Sequence, residues 1–487
     1  MSIQLRDSSL LKTRAYINGQ WVDADSGATF DVFNPANGEK IAEVASLGAD
    51  ETRRAIEAAE AAMQDWKARA AKERSAVLRR WYDLIMANQE DLAVLMTLEQ
   101  GKVLGESRGE VAYGASFVEW FAEEAKRVYG DVIPAPQNDR RAIVVKQPVG
   151  VVGAITPWNF PNAMITRKAA PALAVGCAIV LKPAAETPLS ALALAELAER
   201  AGLPAGLFSV VTGKDSRAIG GELTSNPTVR KLTFTGSTPV GKLLMKQSAE
   251  TVKRTSMELG GNAPVLVFDD ADLDVAVAGA LAAKYRNSGQ TCICANRILV
   301  QDSIYDAFVE KFVEKVRGFR LGNGLDENAT HGPLITAKAV QGIQALVDDA
   351  VEKGATLDAG GRQDDLGECF YQPTVLSGVT PEMRIAREEI FGPVAPIFRF
   401  SDEAEAVRMA NDTEFGLAAY CFTRDVGRVW RVSEALEYGM VGVNETALGS
   451  DVTPFGGMKE SGQGREGSKY GLDDYLEIKY ICMGGLA

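Results

Sequence analysis

The chain has 487 residues, 46% of them hydrophobic and 24% charged, with a net charge of −13 and a pI near 4.9. This is ordinary globular material with room for two or three cored domains, and its acidity disfavours nucleic acids and anionic membrane surfaces as partners. Six thinly spread cysteines, no secretory leader, and no apolar run near the roughly 18 residues of a membrane span point to a reducing compartment, most simply the cytoplasm.

In chain order, DETRRAIEAAEAAMQDWKA (50–68) puts Ala55, Ile56, Ala59, Met63 and Trp66 at helical spacing, and a second helix is predicted around RSAVLRRWYDLIMAN (74–88). From residue 149 the texture changes to short apolar runs, VGVVGAITP, AIVLKP, LFSVVTG and VRKLTFTG, separated by helical stretches. One of these, PLSALALAELAERAG, opens at Pro188 and closes at Gly202. Apolar strands alternating with helices predict a parallel, doubly wound sheet, whose crevice at the strand C-termini suits a dinucleotide. FTGSTPVGKLL adds a strand-to-helix turn with Gly236 and Ser237, where backbone N–H groups can hold a pyrophosphate. A second α/β section starts near APVLVFDDADLD and runs past residue 440.

Between these features lies RNSGQTCICANR (286–297), with Cys292 and Cys294 one residue apart. No metal is expected there, because structural zinc takes four Cys/His ligands and catalytic zinc three. The single histidine, His331, sits in a polar loop signal far from the thiols, and reads as a loop residue. If Cys292 is a nucleophile, its helper is therefore a carboxylate, a lysine or a water. Cys177, inside an apolar run, is expected in the core.

PWNFP (157–161), LKPA (181–184), FTGS (234–237), MELGGNAP (257–264), GQTC (289–292) and EEIFGPV (388–394) follow one another in the order seen in the NAD(P)-dependent aldehyde dehydrogenase superfamily, which the whole chain resembles. AMITRKAAPAL, SNPTVRKLTFTGST, FDDADLD, ANDTEFGLAAY and GREGSKYGLDDYLEIKY make it most similar to the bacterial succinate-semialdehyde dehydrogenase branch. The implied fold is α/β: a Rossmann-like cofactor domain (1–129 and 149–260), an α/β catalytic domain (261–460), and a small β arm (130–148 and 461–487) for a homodimer or homotetramer.

The implied reaction is oxidation of succinate semialdehyde to succinate. Cys292 forms a thiohemiacetal, Asn159 and the Cys292 N–H steady its oxyanion, hydride leaves, and water activated by Glu258 opens the thioester. The resemblance also assigns Trp158, Lys182, Ala185, Gly236, Ser237, Glu389 and Phe391 to the cofactor, with Lys182 and Glu389 at ribose hydroxyls and Phe391 beside the nicotinamide ribose. Ala185 stands where NAD-specific relatives commonly carry a glutamate, so NADP is expected to be preferred over NAD. Arg167 and Arg286 are the anion-binding arginines, with Ser450 beside them. The branch often has Ser-Ser before PFGG, whereas this chain has Gly449 then Ser450, and glutarate semialdehyde is an alternative substrate. A cysteine amidase or esterase would use a similar nucleophile and base but no dinucleotide. Cys294 is expected to be non-catalytic and able to form a strained, reducible bond to Cys292 if the backbone bends there.

Overall fold

The computed structural model describes residues 4–486; residues 1–3 and 487 of the expected segments lie outside it. The predicted N-terminal helices are present as Ala49–Ala68 and Ala71–Ala87, and the five apolar residues marked on the first are all buried. Helix α1 (Leu104–Glu124) packs against helix α2 (Ala163–Val175). Every residue of α2 is buried, including Arg167 and Lys168, and the helix ends at Gly176 with φ +103°, a left-handed cap that glycine adopts without strain.

The four apolar runs form strands of one eight-stranded sheet. Strand β1 (Val151–Ile155) pairs in parallel with β2 (Ala178–Lys182) and with β4 (Val229–Thr235); β3 (Phe208–Val210) extends it beyond β2, and β5 (Arg254–Glu258) beyond β4. The helix predicted to open at Pro188 runs Pro188–Arg200, with Gly202 left-handed just after it, and Thr238–Ser248 forms helix α3 after the Gly236-Ser237 turn. Two features were not expected: antiparallel strands Ala15–Ile17 and Gln20–Val22 cap one edge, and Gly462–Gln463, from the chain's tail, pairs antiparallel with β5 at the other.

A seven-stranded sheet follows, from β6 (Ala263–Val267) and β7 (Ala295–Gln301) to a last strand at Met440–Val443, with helix α4 (Leu273–Tyr285) after β6. Asp272 caps α4, its carboxylate accepting from the N–H groups of Asp274 and Val275. Alternate residues of β6 and β7 enter different cores: Leu266 and Leu299 pack on one face, Val265, Val267, Ile298 and Val300 on the other. Burial on both faces explains why these strands read as unbroken apolar runs. A three-stranded antiparallel sheet joins Asp131–Ile133 and Arg141–Pro148 to Leu476–Met483. No helix among the described residues is long and apolar enough to cross a membrane.

Candidate active site

Three strands of the first sheet end at one place. β1 leads into Pro157, Trp158 and Asn159; β4 leads into Gly236 and Ser237; β5 ends on Glu258. With Cys292, Glu389 and Phe391 these residues line a cavity of about 700 Å³. A second cavity, of about 440 Å³, is lined by Tyr113, Arg167, Arg286, Gly449 and Phe455 among others. Cys292 and Met164 line both, so the thiol stands where the two chambers meet.

Cys292 is held by a strained approach. After α4 ends, Asn287 (φ +50°), Ser288 (φ +54°) and Gly289 (φ +77°) are left-handed in succession. Such conformations cost about 1 kcal/mol or more for residues with a side chain, and persist where surroundings fix them. Here the Glu106 carboxylate accepts from the Asn287 N–H (2.9 Å), and the Ser288 hydroxyl donates to the Gly332 carbonyl (2.8 Å). A Cβ on Gly289 would lie 2.1 Å from the Gly392 carbonyl oxygen, so only glycine fits.

Asn159 is fixed from two sides. Its carbonyl accepts from Lys102 Nζ (2.8 Å) and Asn287 Nδ2 (3.1 Å), and its own Nδ2 donates to the Gln290 carbonyl (3.0 Å). Lys102 is in turn paired with Glu110, which also accepts from the Asn162 and Ala163 N–H groups at the start of α2.

The charges around the thiol are unevenly compensated. Neither Glu258 oxygen has a hydrogen bond among the described residues, and burial, then the nearby Glu466 carboxylate, push its pKa well above the usual carboxylate range. Burial likewise pushes the Cys292 thiol up to about 12, against the pull of Arg167. Glu466 is clamped by two buried cations of α2: it contacts Lys168 Nζ, and its Oε2 lies 2.5 Å from Arg167 Nε, an ion pair lacking hydrogen-bond alignment. Burial opposes its charge, but Lys168 and Arg167 hold its pKa below normal, and Glu466 in turn keeps Arg167 charged despite burial. The Arg167 guanidinium also stacks over Phe455 at 4.1 Å. Arg286 is exposed, lies 5.4 Å from the Phe160 ring centroid, and has no ion pair among the described residues.

The larger cavity suits a dinucleotide by its own geometry. Ser237 stands at the N-cap of α3, with Pro239 in the first turn, so free N–H groups face the crevice at the ends of the strands. Lys182 is buried, its Nζ donating to the Pro183 carbonyl (3.1 Å); burial lowers its pKa, and Glu186 opposes this. Trp158 meets Phe391 edge-on at 5.5 Å, with Phe391 left-handed at φ +49°. Glu389 is turned inward, accepting from the Gly261 N–H at 3.2 Å, and burial raises its pKa to about 7.

Residues 21–481 match the aldehyde dehydrogenase family. The chain belongs to that family. It is 61% identical over 484 residues to the glutarate-semialdehyde dehydrogenase of Pseudomonas aeruginosa, covering 99% of this chain and 100% of that one. It is 60% identical over 482 residues to the NADP-dependent succinate-semialdehyde dehydrogenase of Escherichia coli K12, with 99% and 100% covered. Among solved structures, the succinate-semialdehyde dehydrogenase of Burkholderia pseudomallei superposes with a TM-score of 0.98 at 60% identity, again over 99% and 100%.

Within this aldehyde dehydrogenase, Cys292, Glu258, Asn159, Trp158, Gly236, Ser237, Glu389 and Phe391 share one cavity, and Arg167 and Arg286 share the other. Lys182 ends β2 and Ala185 follows it, packing against the first core. Ser450 does not line either chamber: its hydroxyl turns to Asp451 Oδ1 (3.3 Å) and accepts from the Val452 N–H (3.4 Å), while Gly449 faces the cavity in its place. Arg167, expected as a free anion ligand, is already paired with Glu466. His331 is buried against Phe319 (4.2 Å between centroids), away from both cavities. The backbone turns at the thiols, the Cys294 N–H donating to the Thr291 carbonyl (3.1 Å), but the Cys294 thiol is buried and points to the Lys284 carbonyl (3.3 Å). Tyr113, Glu466 and the Lys102–Glu110 pair went unnoticed in the sequence. The signal for part of this was ITRK, two cations inside an otherwise apolar helix.

Proposed function

We propose that the protein oxidises a small aldehyde bearing a distal acid group, succinate semialdehyde to succinate in the first instance, with NADP or NAD as oxidant. The observation that carries this is the position of Cys292 between a chamber suited to a dinucleotide and a chamber holding two arginines. The Cys292 sulfur adds to the aldehyde carbon as its thiol proton passes to solvent, and the carbonyl oxygen becomes an oxyanion. Asn159 has two side-chain N–H donors; one serves the Gln290 carbonyl and the other remains for that oxyanion, beside the Cys292 N–H. The bound nicotinamide supplies the hydride acceptor. Glu258, as the carboxylate, takes a proton from water as the water attacks the resulting thioester, and passes that proton to the departing sulfur, which releases the acid and restores the thiol. A base whose pKa burial raises above the usual carboxylate range suits this better than an ordinary carboxylate.

Lys182 and Glu389 would meet ribose hydroxyls, Phe391 and Trp158 the nicotinamide end, and the N–H groups following Gly236 and Ser237 the pyrophosphate. Ala185 adds no carboxylate to oppose a 2′-phosphate, which supports NADP as the preferred cofactor. Glutarate semialdehyde remains a second reading, since relatives named for each acid are almost equally similar. The three-stranded sheet, with Val132, Ile478 and Tyr480 exposed, supports a homodimer or homotetramer in which this arm is covered. Assaying succinate semialdehyde, glutarate semialdehyde and hexanal with each cofactor at 340 nm tests the reading. Oxidation of hexanal as efficient as that of either acid would refute it.

A further inference from the structure

The acid-binding chamber lacks the hydroxyl expected of it. Ser450 is turned into its own loop, and Arg167 shares its charge with Glu466. Another hydroxyl occupies that chamber. Tyr113, on α1, lines it together with Arg286 and Gly449, and its Oη makes no hydrogen bond among the described residues. The ring is braced edge-on by Phe117 at 5.0 Å between centroids. A Cβ built on Gly449 would lie 2.9 Å from Tyr113 Oη and 3.3 Å from its Cζ, so the phenol stands in space that any larger residue at 449 would claim. Gly449 has no left-handed φ, so its glycine is not required by the backbone and serves only to leave that room.

We propose that the Tyr113 hydroxyl, in the space left by Gly449, is a direct ligand for the distal acid group of the substrate, acting with Arg286. The inference rests on the function proposed above and deepens it by naming a specificity-determining pair. A phenol is a neutral donor that needs no counter-charge, so it can hold a carboxylate oxygen where Arg167 is already engaged by Glu466. Both arginines bias the phenol electrostatically, which places it in the same local field as the acid it would bind.

Two substitutions test this, read as ratios of kcat/KM so that general damage cancels. Tyr113→Phe keeps the ring and its packing on Phe117. It is expected to lower the succinate semialdehyde to hexanal ratio about tenfold, through KM more than kcat, as loss of a hydrogen bond to a charged group does. Gly449→Ala pushes the phenol from its place and is expected to lower the same succinate semialdehyde to hexanal ratio about tenfold. If Tyr113→Phe keeps the wild-type acid-to-hexanal ratio, the hydroxyl is not a ligand. If Gly449→Ala keeps the wild-type acid-to-hexanal ratio, the glycine does not seat the phenol. A wild-type enzyme with no preference for acids over hexanal overturns the underlying function together with this inference, and so is told apart from failure of the tyrosine alone.

Discussion

Replacing Arg286 with methionine isolates charge from bulk at the one arginine of the acid chamber that the protein leaves unpaired. Two opposite unit charges about 4 Å apart attract by about 4 kcal/mol at an effective dielectric near 20. Because Arg286 is exposed, water recovers part of that on removal, and the net loss falls at the low end for a severed charge pair, about 2 kcal/mol. That is roughly thirtyfold in kcat/KM for succinate semialdehyde, with little change for hexanal, which has no charge to lose. Arg167→Met should behave differently. It strips Glu466, only 4% exposed, of one of its two cations and removes the stack on Phe455, so it destabilises the fold by about 3 kcal/mol or more and depresses both substrates. Steady-state rates at 340 nm on both aldehydes, with a thermal melt of each variant, separate the two outcomes. Equal losses on both aldehydes for Arg286→Met, or a purely acid-selective loss with an unchanged melt for Arg167→Met, would refute this division of labour.

Cys292→Ala should yield no reduced cofactor, whereas Glu258→Gln should give a burst of about one equivalent and then stall, since hydride departs before water attacks; a stopped-flow trace with normal turnover in Glu258→Gln would remove the base from the scheme. Ala185→Glu should shift the NADP to NAD ratio of kcat/KM toward NAD, and a wild-type enzyme about tenfold better with NAD would show that this position does not decide the choice. His331 is the only histidine, buried against Phe319, and burial lowers its pKa to about 4 from 6.5. The unfolded chain therefore binds this proton first, so stability present above about pH 6.5 is lost as pH falls toward 4, by on the order of 3 kcal/mol. Histidine-selective NMR with a midpoint near 6.5 in the folded protein would contradict that burial.

The fold was legible because its signals are local. The strands that carry the crevice are buried on both faces and so appear as continuous apolar runs, and Pro188 and Gly202 mark helix ends by what their backbones can and cannot do. The shared cavity was legible only through ordered motifs, since no local rule ties Glu258 to Cys292. What escaped was set by contacts between distant segments. The Lys168–Glu466 pair joins residues 298 apart, and Ser450 and Gly449 exchange places in the acid chamber by the course of one loop. Arg167 looked like a free ligand because a sequence shows a charge without showing its partner.

The tail strand Gly462–Gln463 lies against β5, Gly462 opposite Glu258 itself, and the Leu259 N–H donates to the Ser461 carbonyl. Glu466, four residues on, neutralises the cations of α2. A nascent chain can pair β5 with β4, but it completes the other edge of β5 and gives the two buried cations their shared carboxylate only once nearly the whole sequence has left the ribosome. Such late, long-range closure slows folding, and the catalytic carboxylate gains its finished surroundings only at the last step of synthesis.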